Sequence, residues 1–386
     1  MIINSADRLS KTEEYYFSIK LKEIATLRKK GHQVINLGIG SPDLPPVNDV
    51  IEELKSNAEY TDAHGYQSYQ GIPELREAIS DYSKKHYAIS FDPASEILPL
   101  IGSKEGIMHI SMAFLNPGDH VLIPNPGYPT YTSVSQLLQC EISDYELNEK
   151  DNWSIDINAL EQFPLNKIKI LWLNYPNMPT GVFPNIDHIK KLINLAKKHQ
   201  FLIVNDNPYN QLFEPPAFSI FQIDGAREVA IELNSMSKSH NMAGWRLGWI
   251  TAREDYIKTI LKVKSNMDSG MFRPIQKAAV KALSLPESYY QEQRMLYKER
   301  RFVASEIFNA LNCHFISQEG MFLWAKVPDN IDSVKSMVDS LLKKAGVFIV
   351  PGFIFGTKGE RFLRISLCSP TDVLSDALHK IKSASL

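Results

Sequence analysis

The chain has little cysteine, no surplus of positive charge and no long apolar run, and each scarcity removes a class of function. Cysteine occurs only at Cys140, Cys313 and Cys368. Three scattered thiols give neither the paired short spacings of a zinc site nor the density of a disulfide scaffold, so they read as reduced and structural, with no metal implied. The 42 Lys and Arg residues stand against 44 Asp and Glu, for a formal net charge of -2, and the isoelectric point is near 6.6. That balance supplies no field for nucleic acid or an anionic membrane, so any phosphate recognition has to be local. No segment approaches the roughly 20 apolar residues of a membrane span. The start, Met1 to Arg8, also lacks the basic-then-apolar order of a secretory signal. The expectation is an unprocessed cytoplasmic protein with no nucleic-acid or membrane partner.

What is present is an ordinary globular composition. With 386 residues, 44% hydrophobic and 22% charged, the chain can bury a large core, and its length suits one large domain plus a smaller one. Short β-rich runs at Ile97 to Ile101, His120 to Ile123, Lys167 to Leu173, Phe201 to Val204 and Val229 to Leu233 read as buried strands. Helical patterns lie between them, at Ser103 to Leu115, Ile186 to Lys198 and Asp255 to Lys264. The alternation predicts an α/β domain whose mostly parallel sheet is covered on both faces. After about Ser284 the pattern changes to a long charged helix, Glu287 to Leu311. Strand-like Met321 to Val327, a helix near Ser333 to Lys344 and strand-like Phe362 to Leu367 follow. The first 46 residues hold one helix, Tyr16 to Lys30, then a loop marked by Gly38, Gly40 and Pro42. The expected division is an N-terminal arm joined to the small domain over residues 1–46, a large domain over 47–285 and an α+β small domain over 286–386.

A lone lysine is by default a solvated charge. Lys238 stands out because it follows an apolar strand, sits among small hydroxyl residues in Ser235-Met236-Ser237-Lys238-Ser239, and precedes Arg246 by eight positions, between Gly244 and Gly248. A desolvated lysine amine near other positive charge loses its proton and attacks an aldehyde, while the planar arginine fork suits a phosphate. Together they outline a ligand bearing both groups. Asp206 and Tyr209, in Asp206-Asn207-Pro208-Tyr209, stand where a parallel strand ends, the edge at which α/β sheets bind ligands. Alone, that tetrapeptide is a turn. With Lys238, the carboxylate becomes a partner for a pyridine nitrogen and the phenol a partner for a ring oxygen.

These residues resemble the class I/II aminotransferases of the fold-type I pyridoxal-phosphate superfamily, over nearly the whole chain from Gly40-Ser41-Pro42-Asp43 to Arg364. The resemblance implies a large domain with a mostly parallel seven-stranded sheet between helices, and pyridoxal 5'-phosphate bound to Lys238 as a Schiff base. It implies that Asp206 is the pyridinium partner and Tyr209 the partner of the phenolic oxygen, with Arg246, Ser235 and Ser237 on the phosphate. In Gly102-Ser103-Lys104-Glu105-Gly106, Ser103 and Lys104 match backbone donors at a helix N-terminus. Tyr128 matches the aromatic stacked on the cofactor ring. Tyr66, and Ser269 in Asp268-Ser269-Gly270, look like residues that cross a homodimer interface to the partner's phosphate. Arg364, in Arg361-Phe362-Leu363-Arg364-Ile365-Ser366, resembles the clamp on the substrate α-carboxylate, assisted by the Gly40 backbone.

The implied activity is ping-pong transfer of an amino group between an L-amino acid and a 2-oxo acid, with Lys238 moving the Cα proton. The stretches Leu37 to Pro45 and Ser265 to Gly270 look most like the LL-diaminopimelate and alanine aminotransferase branches. Aspartate, methionine and aromatic donors stay open, because Arg273 or another side-chain anchor could come from either subunit. A C-S β-lyase on the same scaffold is the rival enzyme, since loss of the Cα proton can also expel a β-substituent. A cofactor-binding sensor would need a basic DNA-binding module, for which the ends leave no room. One position departs from the family: Asn174-Tyr175-Pro176-Asn177-Met178-Pro179-Thr180-Gly181 has Met178 where Asn usually donates to the phenolic oxygen. Methionine cannot donate that bond, which leaves Tyr209 alone or with Asn177 reoriented.

Overall fold

Five apolar runs become the interior of one sheet in the computed structural model, which describes residues 3–10, 16–214, 218–315 and 319–384. Residues 1–2 and 11–15 of the expected N-terminal arm lie outside the described residues. Strand β1 (Ile35–Asn36) is followed by β2 (Ile97–Leu100), β3 (His120–Asn125), β4 (Glu141–Glu146), β5 (Ile168–Leu173), β6 (Leu202–Asn207), β7 (Ala230–Ser235) and β8 (Gly248–Thr251). Strands β2 to β8 form a seven-stranded sheet in the order β2-β8-β7-β6-β5-β3-β4. The run from β7 to β4 is parallel, and β8 is antiparallel to both of its neighbours. The chain has an α/β fold with the mostly parallel seven-stranded sheet that was expected.

Side-chain alternation feeds two cores. Ile170, Trp172 and Val204 face one layer, and Leu171, Leu173 and Ile203 the other. Because helices cover both faces, these strands read as continuous apolar runs rather than alternating ones. Helix Ile186–His199 buries Ile189, Leu192, Ile193 and Ala196 on one stripe. It starts where the Asn185 side chain accepts from the Asp187 and His188 amides.

Strand β6 runs three residues beyond the expected end at Val204, so Asp206 lies within the strand and not in a turn. Its polar tip is held in place by partners. Asn205 donates to Glu232 at 3.0 Å, Asn174 donates to the Asp206 carbonyl at 2.6 Å, and Asn207 donates to the Phe218 carbonyl at 2.8 Å. These bonds hold the strand tip without a turn, while Asp206 Oδ1 and Asn207 Oδ1 stay buried without a partner.

The C-terminal part is built on β9 (Phe322–Lys326), β10 (Val347–Phe348), β11 (Val350–Pro351) and β12 (Phe362–Ser366), with antiparallel order β11-β12-β9. The 24-residue helix Glu287–Ala310 packs with helix Thr371–Ser383 across it. Strand β1 pairs in parallel with β10, which brings the start of the chain onto this second structure. The expected helix near 333–344 is Val334–Ser340 followed by a π-helical turn, Leu341–Ala345. Among the described residues no helix is long and apolar enough to cross a membrane.

Candidate active site

A cavity of about 680 Å³ opens beside the C-terminal ends of β6 and β7, within the size range of small-molecule sites. Lys238, Asp206, Tyr209, Arg246, Ser235, Ser237, Ser103, Lys104, Tyr128, Arg364 and Gly40 all line it. These residues come from segments more than 300 positions apart in the chain, and it is the strand ends that bring them together.

Lys238 lies in the short helix Met236–Ser239 that follows β7, where the Ser235 side chain accepts from the Ser237 amide. Its Nζ donates to the Gly40 carbonyl. Burial is the main cause that lowers the Lys238 ammonium below its ordinary value; the Cys368 thiol opposes this, and the Arg364 and Arg246 charges add to it. Asp206 is buried, and Tyr131 donates its hydroxyl to Oδ2 at 2.8 Å. Burial pushes the Asp206 carboxyl up to about 6, against the lowering effect of that hydrogen bond. The second oxygen, Oδ1, is buried without a hydrogen-bond partner. Burial also raises the Tyr209 phenol above its usual value, and its ring meets Phe322 edge-on at 5.6 Å.

At the other end of the cavity, helix Ser103–Phe114 starts from Gly102 with no side-chain cap, and the dipole of a helix start favours an anion. Gly102 adopts φ +84, and an added Cβ would run into the Arg246 guanidinium. Arg246 is left-handed itself (φ 54, ψ 63), and its Nη1 is held by the Ala243 carbonyl at 3.0 Å.

Arg364 comes from β12. Its guanidinium packs on Phe322 at 4.3 Å and Phe355 at 4.8 Å, and Nη2 donates to the Gly38 carbonyl at 2.8 Å. Nε is buried without a partner, and burial pulls the group down to about 10. Met178, at the position where the resemblance led to an expected Asn, sets its sulfur 3.4 Å from Arg364 Nη1.

Three expected residues do not line this cavity. Asn177 is tied into its own loop: Oδ1 accepts from the Thr180 hydroxyl at 2.6 Å, and Nδ2 donates to the Asn174 carbonyl at 3.2 Å. It is therefore not reoriented toward a ligand. Tyr66 is 94% exposed, and Ser269 is exposed on a neighbouring loop, where Gly270 approaches the Gln67 carbonyl. Gly40, expected to assist a carboxylate through its backbone, lines the cavity and presents its carbonyl to Lys238. Sequence reasoning missed Tyr131, Asn174 and the wall formed by Tyr16, Phe17 and Phe353.

The family profile described as aminotransferase class I and II matches residues 32–381. The chain belongs to that family. It is 37% identical over 386 residues to an LL-diaminopimelate aminotransferase of Aquifex aeolicus, covering 99% of each chain, and 38% identical to one of Dehalococcoides mccartyi, covering 97% of each. The substrate-bound BacF structure from Bacillus subtilis superposes with a TM-score of 0.94 at 31% identity, covering 98% of this chain and 97% of that one. This aminotransferase accordingly stands near the LL-diaminopimelate branch, depends on pyridoxal 5'-phosphate, and transfers amino groups between amino acids and 2-oxo acids. The donor set fits that cofactor. The orphaned Oδ1 of Asp206 suits a protonated ring nitrogen, the lowered Lys238 amine suits an aldehyde, and the Gly102–Arg246 cradle with the open helix start suits a phosphate.

Proposed function

We propose that Lys238, Asp206 and Tyr209 carry the chemistry of amino transfer, that Arg246, Ser235, Ser237, Ser103 and Lys104 hold the phosphate, that Tyr128 covers the ring, and that Arg364 anchors the substrate carboxylate. The carrying observation is that three buried groups face one cavity: Asp206 Oδ1 and Arg364 Nε, both without a hydrogen-bond partner, and the Lys238 amine, whose basicity burial lowers. When bound, pyridoxal phosphate supplies an aldehyde that joins to an amine and a ring that draws electrons from the attached Cα.

Everything else falls to side chains. The Gly40 carbonyl orients Lys238, and the lowered basicity of its amine leaves a neutral fraction that can attack an aldehyde and later take the proton from the substrate Cα. Asp206 keeps a negative charge against the ring nitrogen, steadied by Tyr131. Tyr209 serves the ring oxygen without an asparagine, because Met178 has turned to Arg364 and Asn177 is locked. Arg364, wedged between Phe322 and Phe355, orients the carboxylate and so aims the Cα hydrogen at Lys238.

The same reading takes the active unit as a homodimer in a cytoplasmic setting. It is supported by the exposure of Tyr66, Met267 and Phe272 on adjoining segments, and by three free cysteines. In it, Tyr66 and Ser269 reach the partner's phosphate. It also divides the chain at 46 and 285, supported by the β1–β10 pairing and by a large sheet contained between residues 97 and 251. The test is a half-reaction. Holoenzyme mixed with an amino acid and no acceptor should convert its cofactor absorbance to that of the amine form and release one equivalent of 2-oxo acid. Steady release of ammonia with pyruvate from cystathionine would assign a lyase instead.

A further inference from the structure

The loop between β1 and helix Asn48–Ala58 offers two carbonyls on which the site depends. The Gly40 carbonyl accepts from Lys238 Nζ, and the Gly38 carbonyl accepts from Arg364 Nη2 at 2.8 Å. One loop therefore sets where two cations stand, one for the aldehyde and one for the α-carboxylate. Its backbone is tied down only at the start. Leu37 donates to the Phe348 carbonyl at 2.9 Å and accepts from the Ser366 amide at 2.8 Å, and the Gly38 amide donates to Asn36 Oδ1 at 2.8 Å. Among the described residues, positions 39–46 make no backbone-to-backbone hydrogen bond.

A side chain holds the far end instead. Asp43, three residues past Gly40, takes a two-pronged bond from Arg300: Nη1 donates to Oδ1 at 2.7 Å and Nη2 to Oδ2 at 2.8 Å. Arg300 lies on helix Glu287–Ala310, and its side chain is 3% exposed, against 22% for that of Asp43. The same Nη1 donates to the Leu367 carbonyl at 3.0 Å, one residue beyond β12, the strand that carries Arg364. A single guanidinium thus joins the loop that offers the two carbonyls to the strand that offers the carboxylate anchor. The planar fork makes this possible, because a lysine ammonium cannot give two parallel bonds to one carboxylate.

The loop has little room to settle elsewhere. A Cβ on Gly40 would sit 2.8 Å from Phe322, and one on Gly38 would sit 2.6 Å from Val350. Phe322 is also the ring on which Arg364 packs, at 4.3 Å. A buried ion pair adds little net stability once its desolvation is counted, but a bidentate one fixes geometry. Geometry is what the chemistry needs, since an error of about 1 Å at the reacting atoms costs on the order of 100-fold in rate.

We infer that Arg300 and Asp43 are positioning residues for amino transfer: the pair pins the 38–43 loop to the end of β12 and so sets the Lys238 amine and the Arg364 guanidinium at their working separation. Neither side chain lines the cavity, and both act through the Gly38 and Gly40 carbonyls. The inference rests on the transaminase reading and adds the residues that keep its site in shape.

Two variants test it: Arg300→Lys, which keeps the charge but not the fork, and the double variant Asp43→Leu/Arg300→Met, which leaves no ion buried without its partner. Two constants are read per folded site. The rate at which apoenzyme takes up pyridoxal phosphate into a borohydride-reducible form reports the Lys238 amine, and falls at least about 10-fold in both variants. The dissociation constant of propanoate, read from the change it causes in holoenzyme absorbance, reports Arg364 and rises at least about 5-fold. The double variant unfolds cooperatively in urea with a midpoint near that of wild type, so neither loss can be laid to the fold. A merely structural pair would lower the folded fraction and leave both constants within about twofold of wild type. That result in either variant overturns the inference, and so does failure of both variants to fold. If wild type takes up the cofactor but converts no amino acid, the transaminase reading falls, while the uptake rate still decides the role of the pair.

Discussion

Replacing Tyr131 by phenylalanine removes one oxygen atom from the centre of the site and little else. The ring is stacked on Trp172 at 4.8 Å with 9° between planes and meets Tyr128 edge-on at 5.6 Å, packing that phenylalanine retains. The hydroxyl is the side-chain donor to Asp206, at 2.8 Å from Oδ2. A hydrogen bond to a charged group is worth ~1.5–3 kcal/mol, and each pKa unit corresponds to about 1.4 kcal/mol. Burial already lifts Asp206 to about 6, and the Tyr131 bond is what restrains it. Its loss should carry the carboxyl up by about 1 to 2 units, into the range where it is largely protonated at neutral pH in the cofactor-free protein. The expected results are a cofactor affinity at pH 7.5 weakened by about 10-fold and an acid limb of the binding profile moved upward by about one unit or more. Fluorescence-monitored titration of the apoenzyme with pyridoxal phosphate from pH 5 to 9 reads both. A Tyr131→Phe protein with an unmoved acid limb and an affinity within about twofold of wild type would refute the idea that Tyr131 sets the charge on Asp206.

Met178→Asn should restore a donor beside Tyr209 and free Arg364 Nη1 from the sulfur, so absorbance titration of the lysine-bound cofactor should give a shifted apparent pKa; an unchanged value would contradict the account of Met178. Gly102→Ala meets both a φ of +84 and the Arg246 guanidinium, and should raise the dissociation constant for the cofactor by about 10-fold or more, as read by dialysis against apo-forming buffer. His240 is buried between Ser239 and Tyr290, and its pKa is brought down to about 3, mainly by burial. A depressed histidine is neutral in the fold, so its contribution is complete above its unfolded value of about 6.5 and is lost as pH falls toward about 3. Lowering the pH from 7 to 4.5 should therefore cost about 2–3 kcal/mol through this group, and urea unfolding of His240→Gln should show a correspondingly flatter pH dependence.

Much of this architecture was legible because the buried elements obey simple periodicities. The strand expected at Ile97 to Ile101 ends one residue earlier, at Leu100, and the helix expected at Ile186 to Lys198 runs to His199. Pattern reading located five strands of the large sheet, and the count of seven came from resemblance. Strand β4 was invisible because it lies at the sheet edge, where Glu141 and Glu146 are exposed and break the apolar run. Strand β8 is four residues long and follows a glycine-rich turn, so its Trp249 and Ile250 looked like loop apolars.

In the site, Lys238, Asp206 and Arg246 could be named because their spacing is local to strand ends. Tyr131 could not be assigned a role, since its partner lies 75 residues away. The aromatic wall from Tyr16 to Leu21 was hidden for the same reason. That helix has a weak polar–apolar contrast of its own, and its position over the cavity depends on Lys20 reaching Asp339, 319 residues later. Asn177 shows the converse error, because a polar residue inside a motif was offered to the ligand while its own loop needed it.

The central claim is that the amine of Lys238 holds the cofactor. Borohydride reduction of the holoenzyme, followed by proteolysis and peptide mass spectrometry, tests it most directly. The account predicts one pyridoxyl-phosphate adduct per chain, located on Lys238 and absent from Lys238→Ala, whose cofactor then dialyses away. An adduct on another lysine, or a Lys238→Ala protein that keeps a covalently reducible cofactor, would contradict it.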